Sequence, residues 1–147
     1  MQRLHVHVSV ADLEQSVRFY STLFGAEPTR REVDYAKWQL DDPRVNFAIS
    51  TRAEQPGLSH LGIQADTQSE LDDVAARAKA AGDSVLIETG AACCYARSNK
   101  TWVEDPTGIR WETFYTFGDA TTYGQSAEEV RVESKTAAAP AAARSCC

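Results

Sequence analysis

Apolar and polar residues alternate strictly through Leu4-His5-Val6-His7-Val8-Ser9-Val10, the period of a half-buried strand. A weaker run of the same period, His60-Leu61-Gly62-Ile63-Gln64-Ala65, opens the second half of the chain. Asp12 follows the first run and Thr67 the second. Each begins a capping-box pattern, Asp12-x-x-Gln15 and Thr67-x-x-Glu70, which predicts a helix start. The first helix places Leu13, Val17, Tyr20 and Phe24 on one face and stops at Gly25. The second places Leu71, Val74, Ala75 and Ala78 and stops at Gly82. A glycine at each end suggests a left-handed stop. Three strand-like runs follow each helix, near 28–34, 35–40 and 45–50, then near 84–89, 99–104 and 109–116. The last two strands of each half meet at matching turns, Leu40-Asp41-Asp42-Pro43 and Val103-Glu104-Asp105-Pro106.

The pattern is βαβββ, twice. It predicts an α+β domain over residues 1–117, with module one about 3–52 and module two about 58–117. Neither half is large enough to close its own core, so the two should pack as a pair around a cleft between curved mixed sheets. Residues 118–147 hold few large apolar side chains and end in Cys146-Cys147; they read as a flexible tail tipped by thiols.

Composition narrows the function. The chain has 147 residues, 43% of them apolar, enough for one buried core. Its 15 Lys+Arg against 21 Asp+Glu give a net charge of −6, which argues against nucleic acid and against a polybasic membrane surface. No window approaches the ~18 apolar residues of a membrane span. The start, MQRLHVHVSV, lacks signal-peptide features, so a cytoplasmic protein is expected.

Three histidines occur, His5, His7 and His60, and two of them open the equivalent first strands. Superposing the Asp-Pro turns sets Val45-Asn46-Phe47-Ala48 on Ile109-Arg110-Trp111-Glu112, so Glu112 stands where the first half has Ala48. A carboxylate among Trp111, Phe114 and Tyr115 calls for a cation. His5, His60 and Glu112 make two imidazoles and a carboxylate, a facial set suited to non-haem Fe(II); Zn(II), Mn(II) or Ni(II) accept the same ligands. The plainer alternative is a pair of structural strand histidines. His7 shares the face of His5, as a partner of the site or a satisfied core residue. The four cysteines form two adjacent pairs, too close for ordinary disulfide geometry; Cys93-Cys94 reads as a soft-ligand site rather than small filler.

Paired βαβββ modules with ligands on first and last strands resemble the vicinal-oxygen-chelate superfamily of glyoxalases, extradiol dioxygenases and antibiotic-resistance proteins. More narrowly, several stretches over residues 3–117 resemble the organoarsenical carbon–arsenic lyases and the cadmium-induced proteins. They are His5, Leu13-Glu14-x-Ser16-x-x-Phe19-Tyr20-x-x-x-Phe24-Gly25, Asp34-Tyr35-Ala36-Lys37 and Asn46-Phe47. Most specific is Cys93-Cys94-Tyr95-Ala96 ahead of Lys100-x-Trp102-x-x-Asp105-Pro106-x-Gly108-x-x-Trp111-Glu112-x-Phe114-Tyr115.

The resemblance implies Fe(II) at His5, His60 and Glu112, and arsenic at Cys93 and Cys94. It implies that O₂ is consumed as the carbon–arsenic bond of a trivalent organoarsenical breaks and arsenite is released, in a cytoplasmic monomer or homodimer. Tyr95 and Lys100 flank the thiols as accessory candidates, Tyr95 equally a packing residue and Lys100 expected mainly at the surface. Cys146 and Cys147 are candidates for capturing arsenical. Gly90-Ala91-Ala92 departs from the family pattern, where a more polar approach to the thiols is expected. Two other readings stay open: thiol-based sequestration of As(III) or Cd(II), and a different enzyme of the superfamily, such as a glutathione-dependent lyase or ring-cleaving dioxygenase.

Overall fold

The structure, a computed structural model, describes residues 1–82, 84–120 and 128–133. Its elements run β1 (Arg3–Ser9), α1 (Leu13–Phe24), β2 (Arg30–Arg31), β3 (Tyr35–Asp41), β4 (Arg44–Ser50), β5 (Gly57–Ala65), α2 (Gln68–Ala81), β6 (Ser84–Cys93), β7 (Ala96–Glu104), β8 (Arg110–Asp119) and β9 (Glu128–Glu133). The strands form one mixed sheet in the order β2-β3-β4-β1-β5-β8-β7-β6-β9. Up to β6 that order is symmetric about the β1–β5 join. In the first half β1 lies parallel to β4; in the second, β5 lies parallel to β8. The antiparallel β1–β5 ladder fuses the two halves, and the sheet stays open. Among the described residues no helix is long and apolar enough to cross a membrane.

Both helices start where the capping patterns put them. The side chain of Asp12 accepts from the Gln15 backbone N–H, and that of Thr67 from Glu70. Gly25 ends α1 with a left-handed φ of 62°. Gly82 does not follow suit: its φ is −113°, open to any residue. Its lack of a side chain serves spacing instead, because a Cβ there would come 2.2 Å from Val103 Cγ2.

The helices cover one face of the sheet. Leu13 and Val17 of α1 pack with Ala36, Trp38 and Ile49 of β3 and β4, joined by Val8, Tyr20, Phe24 and Phe47. Strand alternation sends the other residues of the same strands to the opposite face: His5, His7 and Ser9 on β1, Asn46, Ala48 and Ser50 on β4, all buried. Leu4, on the helix side of β1, is 48% exposed while His5 is 6% exposed. On this strand the polar members of the alternation are the buried ones, so their burial must be compensated.

The segment after residue 117 departs from the tail reading. β8 runs to Asp119, and Glu128–Glu133 pairs antiparallel with β6, from Ser84↔Glu133 to Thr89↔Glu128. The open edge of β6 supplies backbone donors and acceptors for it. Cys146 and Cys147 lie outside the described residues.

Gly62 on β5 opposes Glu112 on β8, and a Cβ at Gly62 would meet the Glu112 carbonyl oxygen at 2.2 Å. That oxygen is backbone and cannot swing aside. Gly62→Ala is expected to part the two central strands and destabilise the protein by about 1–3 kcal/mol, the range of overpacking. Urea denaturation checks this; an unchanged midpoint would mean that the strands are not so closely spaced.

Candidate metal and thiol site

The ladder registers build the site. His7 lies beside Ala48 in the β1–β4 ladder, and Gly62 beside Glu112 in the β5–β8 ladder. His7 stands two residues past His5, and Gly62 two past His60. Ala48 and Glu112 are therefore equivalent across the two halves, and the first half offers no fourth ligand there.

His5 Nε2 and His60 Nε2 lie 3.2 Å apart, with Glu112 Oε2 at 3.6 Å from the first and 3.4 Å from the second. His5 Nδ1 sits 3.0 Å from the Asn46 carbonyl oxygen, which can only accept. The imidazole proton therefore belongs on Nδ1, and Nε2 turns a lone pair toward the other two groups. His60 Nδ1 contacts Ser59 Oγ at 3.0 Å. The protein can place at most one proton, on His60 Nε2, among these three converging atoms, whereas a divalent cation bonds all three at once. The donor set of His5, His60 and Glu112 thus fits a metal ion, with ligand atoms all within 4.8 Å of one another.

Cys93 and Cys94 occupy the hairpin between β6 and β7, their Sγ atoms 3.2 Å apart and free of disulfide. One thiophilic atom can bond both. The sheet curls enough that the thiols, His5, His60 and Glu112 line a single cavity of about 240 Å³. Trp102 sets its edge against His60, and Phe114 against His5, at ring separations of 5.0 and 5.1 Å.

A family model described as the glyoxalase/bleomycin resistance protein/dioxygenase superfamily matches residues 2–113. The chain belongs to that superfamily. It is 42% identical over 121 residues to the trivalent organoarsenical cleaving enzyme of Bacillus sp. (strain MD1), covering 79% of this chain and 74% of that one. It is 36% identical over 128 residues to the cadmium-induced protein CadI of Mycobacterium tuberculosis (strain ATCC 25618 / H37Rv), covering 84% and 82%. Among solved structures, an extradiol ring-cleaving dioxygenase from B. fuscum superposes with a TM-score of 0.60 at 17% identity, over 80% of this chain and 33% of the longer one. That likeness concerns the fold.

In this superfamily member, electrostatics prepare the cavity. Burial lowers the pKa of His5 to about 4, only partly opposed by Glu112, so the ring is neutral at pH 7, the form that ligates metals. Burial lowers His7 further, to about 3. For Glu112, burial is the largest influence and favours protonation, but the Lys100 ammonium 2.5 Å from Oε1 and the two facing imidazoles together outweigh it and hold the carboxyl far below the usual range. Burial also works against the charge on Lys100, and the Glu112 carboxylate beside it is the chief group that restores it. Lys100 is 6% exposed, which corrects the surface role expected of it. It takes one oxygen of Glu112 and leaves Oε2 facing the histidines. Cys94 is pushed well up, first by its contact with Cys93 and then by burial, so its thiol is protonated at neutral pH.

The thiol turn is strained. Cys93 pairs with Ala96, leaving Cys94 and Tyr95 as the two central residues, with φ of 57° and 61°. Asn-Gly normally takes such a turn, and non-glycine residues there cost about 1–3 kcal/mol each. Tyr95 does not enter the cavity; its hydroxyl donates to Asp34 Oδ1 at 3.0 Å. His7, Tyr35, Lys37, Asn46 and Ser98 also line the cavity, and of these the sequence pattern points only to His7. Their shared inward alternation is the signal that would have found them.

Removing the ammonium is a direct test. Lys100→Met leaves Glu112 charged and buried beside two imidazoles, and breaking a buried pair costs about 3–5 kcal/mol. Urea denaturation of the metal-free variant should show a loss of this size, most of it recovered on adding Co(II). A loss that Co(II) does not reverse would mean that these three groups do not bind a cation.

Proposed function

We propose that this chain cleaves the carbon–arsenic bond of trivalent organoarsenicals in an Fe(II)- and O₂-dependent reaction that releases arsenite. One observation carries the reading: a hard N/O donor set and a soft thiol pair line the same small cavity. Oxygen and nitrogen donors suit Fe(II), whereas thiolates suit As(III). The name of the Bacillus relative, at 42% identity, supports the substrate class.

In this scheme the arsenical condenses with the thiols, R–As(OH)₂ + 2 Cys–SH → R–As(S–Cys)₂ + 2 H₂O. Protonated thiols supply the hydrogens, so the raised pKa of Cys94 is no obstacle. Cys93 and Cys94 fix arsenic and leave its organic substituent to project into the cavity. His5 Nε2, His60 Nε2 and Glu112 Oε2 would hold Fe(II), which supplies a redox centre for the reduction of O₂ as carbon is oxidised. Asn46 orients His5 through its carbonyl, Lys100 fixes the unused oxygen of Glu112, and Trp102 and Phe114 pack edge to face with the two histidine rings. Holding both partners in one cavity converts a bimolecular encounter into a local one.

A second reading, sequestration of As(III) or Cd(II) by the thiols alone, draws on the name of the mycobacterial relative. On either reading the two halves of the cavity bind independently. Cys93→Ser and Cys94→Ser should each weaken binding of phenylarsine oxide at least about tenfold and leave Fe(II) affinity unchanged. Glu112→Ala should do the reverse, losing more than the roughly 100-fold that loss of an outer partner can cost. Equilibrium titration of both ligands with all three variants reads this. Normal binding of both ligands by every variant would sink the two-part site.

A further inference from the structure

The strained thiol turn is held from across the cavity. Tyr95 sits in the second half of the chain, yet its hydroxyl donates to Asp34 Oδ1, in the turn before β3 of the first half. Asp34 also accepts two bonds from Arg52, just beyond β4: Nε to Oδ2 at 2.7 Å and Nη2 to Oδ1 at 2.9 Å. The guanidinium of Arg52 lies 5.5 Å from the centre of the Tyr95 ring and 5.7 Å from that of Tyr35. Arg30 approaches the same Tyr95 ring at 5.3 Å. Tyr35, 3% exposed, stands 6.3 Å from Tyr95 and 6.4 Å from His7, ring to ring. One connected set of contacts therefore runs from the turn that carries the thiols to the face that carries the histidines. Neither Cys94 nor Tyr95 favours its left-handed backbone, so contacts outside the hairpin must sustain the conformation.

We propose that Tyr95, Asp34 and Arg52 form a latch between the two halves that holds the Cys93–Cys94 turn over the histidines and so sets affinity for trivalent arsenicals. This rests on the arsenical reading of the site. All three are positioning residues, acting through the thiols. With the latch made, the two thiols already stand close enough to grip one arsenic atom. Without it, the turn samples other conformations, and the apparent dissociation constant rises in inverse proportion to the fraction of time the competent one is populated. Asp34 is suited to the task because the Arg52 hydrogen bond, more than burial opposes it, keeps its carboxyl ionised as an acceptor for the Tyr95 hydroxyl.

Tyr95→Phe and Asp34→Asn test this: the first removes the donated hydroxyl and the second removes the charge and one of the two acceptors that hold Arg52, each with little change of shape. Phenylarsine oxide binding and Co(II) binding are titrated for wild type, both single variants and the double variant. The latch predicts that each single variant binds phenylarsine oxide about tenfold more weakly. The double variant should be no worse than either single, and Co(II) affinity should stay unchanged in all, which also reports an intact fold. Coupling of that kind marks two residues acting as one unit. Variants that bind phenylarsine oxide as wild type does, or losses that add, would overturn the latch and leave the arsenical reading standing. A wild type whose phenylarsine oxide binding is unaffected by Cys93→Ser would overturn both.

Discussion

The Glu112 carboxylate, buried on the inner face of β8 and pinned by Lys100 through one oxygen, is the interaction around which the rest of the molecule is arranged. A carboxylate taken out of water is tolerable only where opposite charge and hydrogen bonds are supplied together. Lys100 supplies one part. The second oxygen faces two imidazoles whose ε nitrogens turn toward it, and that side wants a cation. The buried polar alternation of β1, the missing side chain at Gly62 and the close β5–β8 spacing all serve to bring those atoms within reach of each other.

The fold achieves this by duplication with divergence. Joining the halves through β1 and β5 sets the two first-strand histidines on neighbouring strands, where their nitrogens meet. The halves then differ where function requires it. Ala48 stands opposite Glu112 in the internal symmetry, so the converging donor set has one carboxylate rather than two, and only the second half carries cysteines in its hairpin. The curl of the sheet brings that hairpin back over the histidines, so two donor sets of opposite hardness share one cavity.

Much of this was legible from the residues alone. The internal repeat carried it: two capping boxes and two Asp-Pro turns fixed the halves, and with them the equivalence of His5 with His60 and of Ala48 with Glu112. What the sequence left hidden depended on which face of a strand turns inward. Lys100 alternates with Ser98 and Trp102 along β7, but a lysine's ordinary preference for water masked that the inner face is the polar one. The chemistry of Gly82 looked like a helix stop when its reason is the side chain of Val103. β9 was unreadable for another reason: Glu128–Glu133 is half acidic, and only the open edge of β6 makes it a strand. The conformation of Cys94 and Tyr95 follows from a two-residue hairpin, which the lack of glycine or asparagine concealed.

Turnover decides whether the shared cavity performs chemistry. Protein reconstituted with Fe(II) without oxygen would be given a trivalent organoarsenical, then divided between air and anaerobic conditions, and free arsenite measured by chromatography with elemental detection. Arsenite is expected in many-fold excess over protein, only where both Fe(II) and O₂ are present. Arsenical held at a fixed ratio to protein with its carbon–arsenic bond intact would contradict turnover and leave a thiol-based sequestration protein.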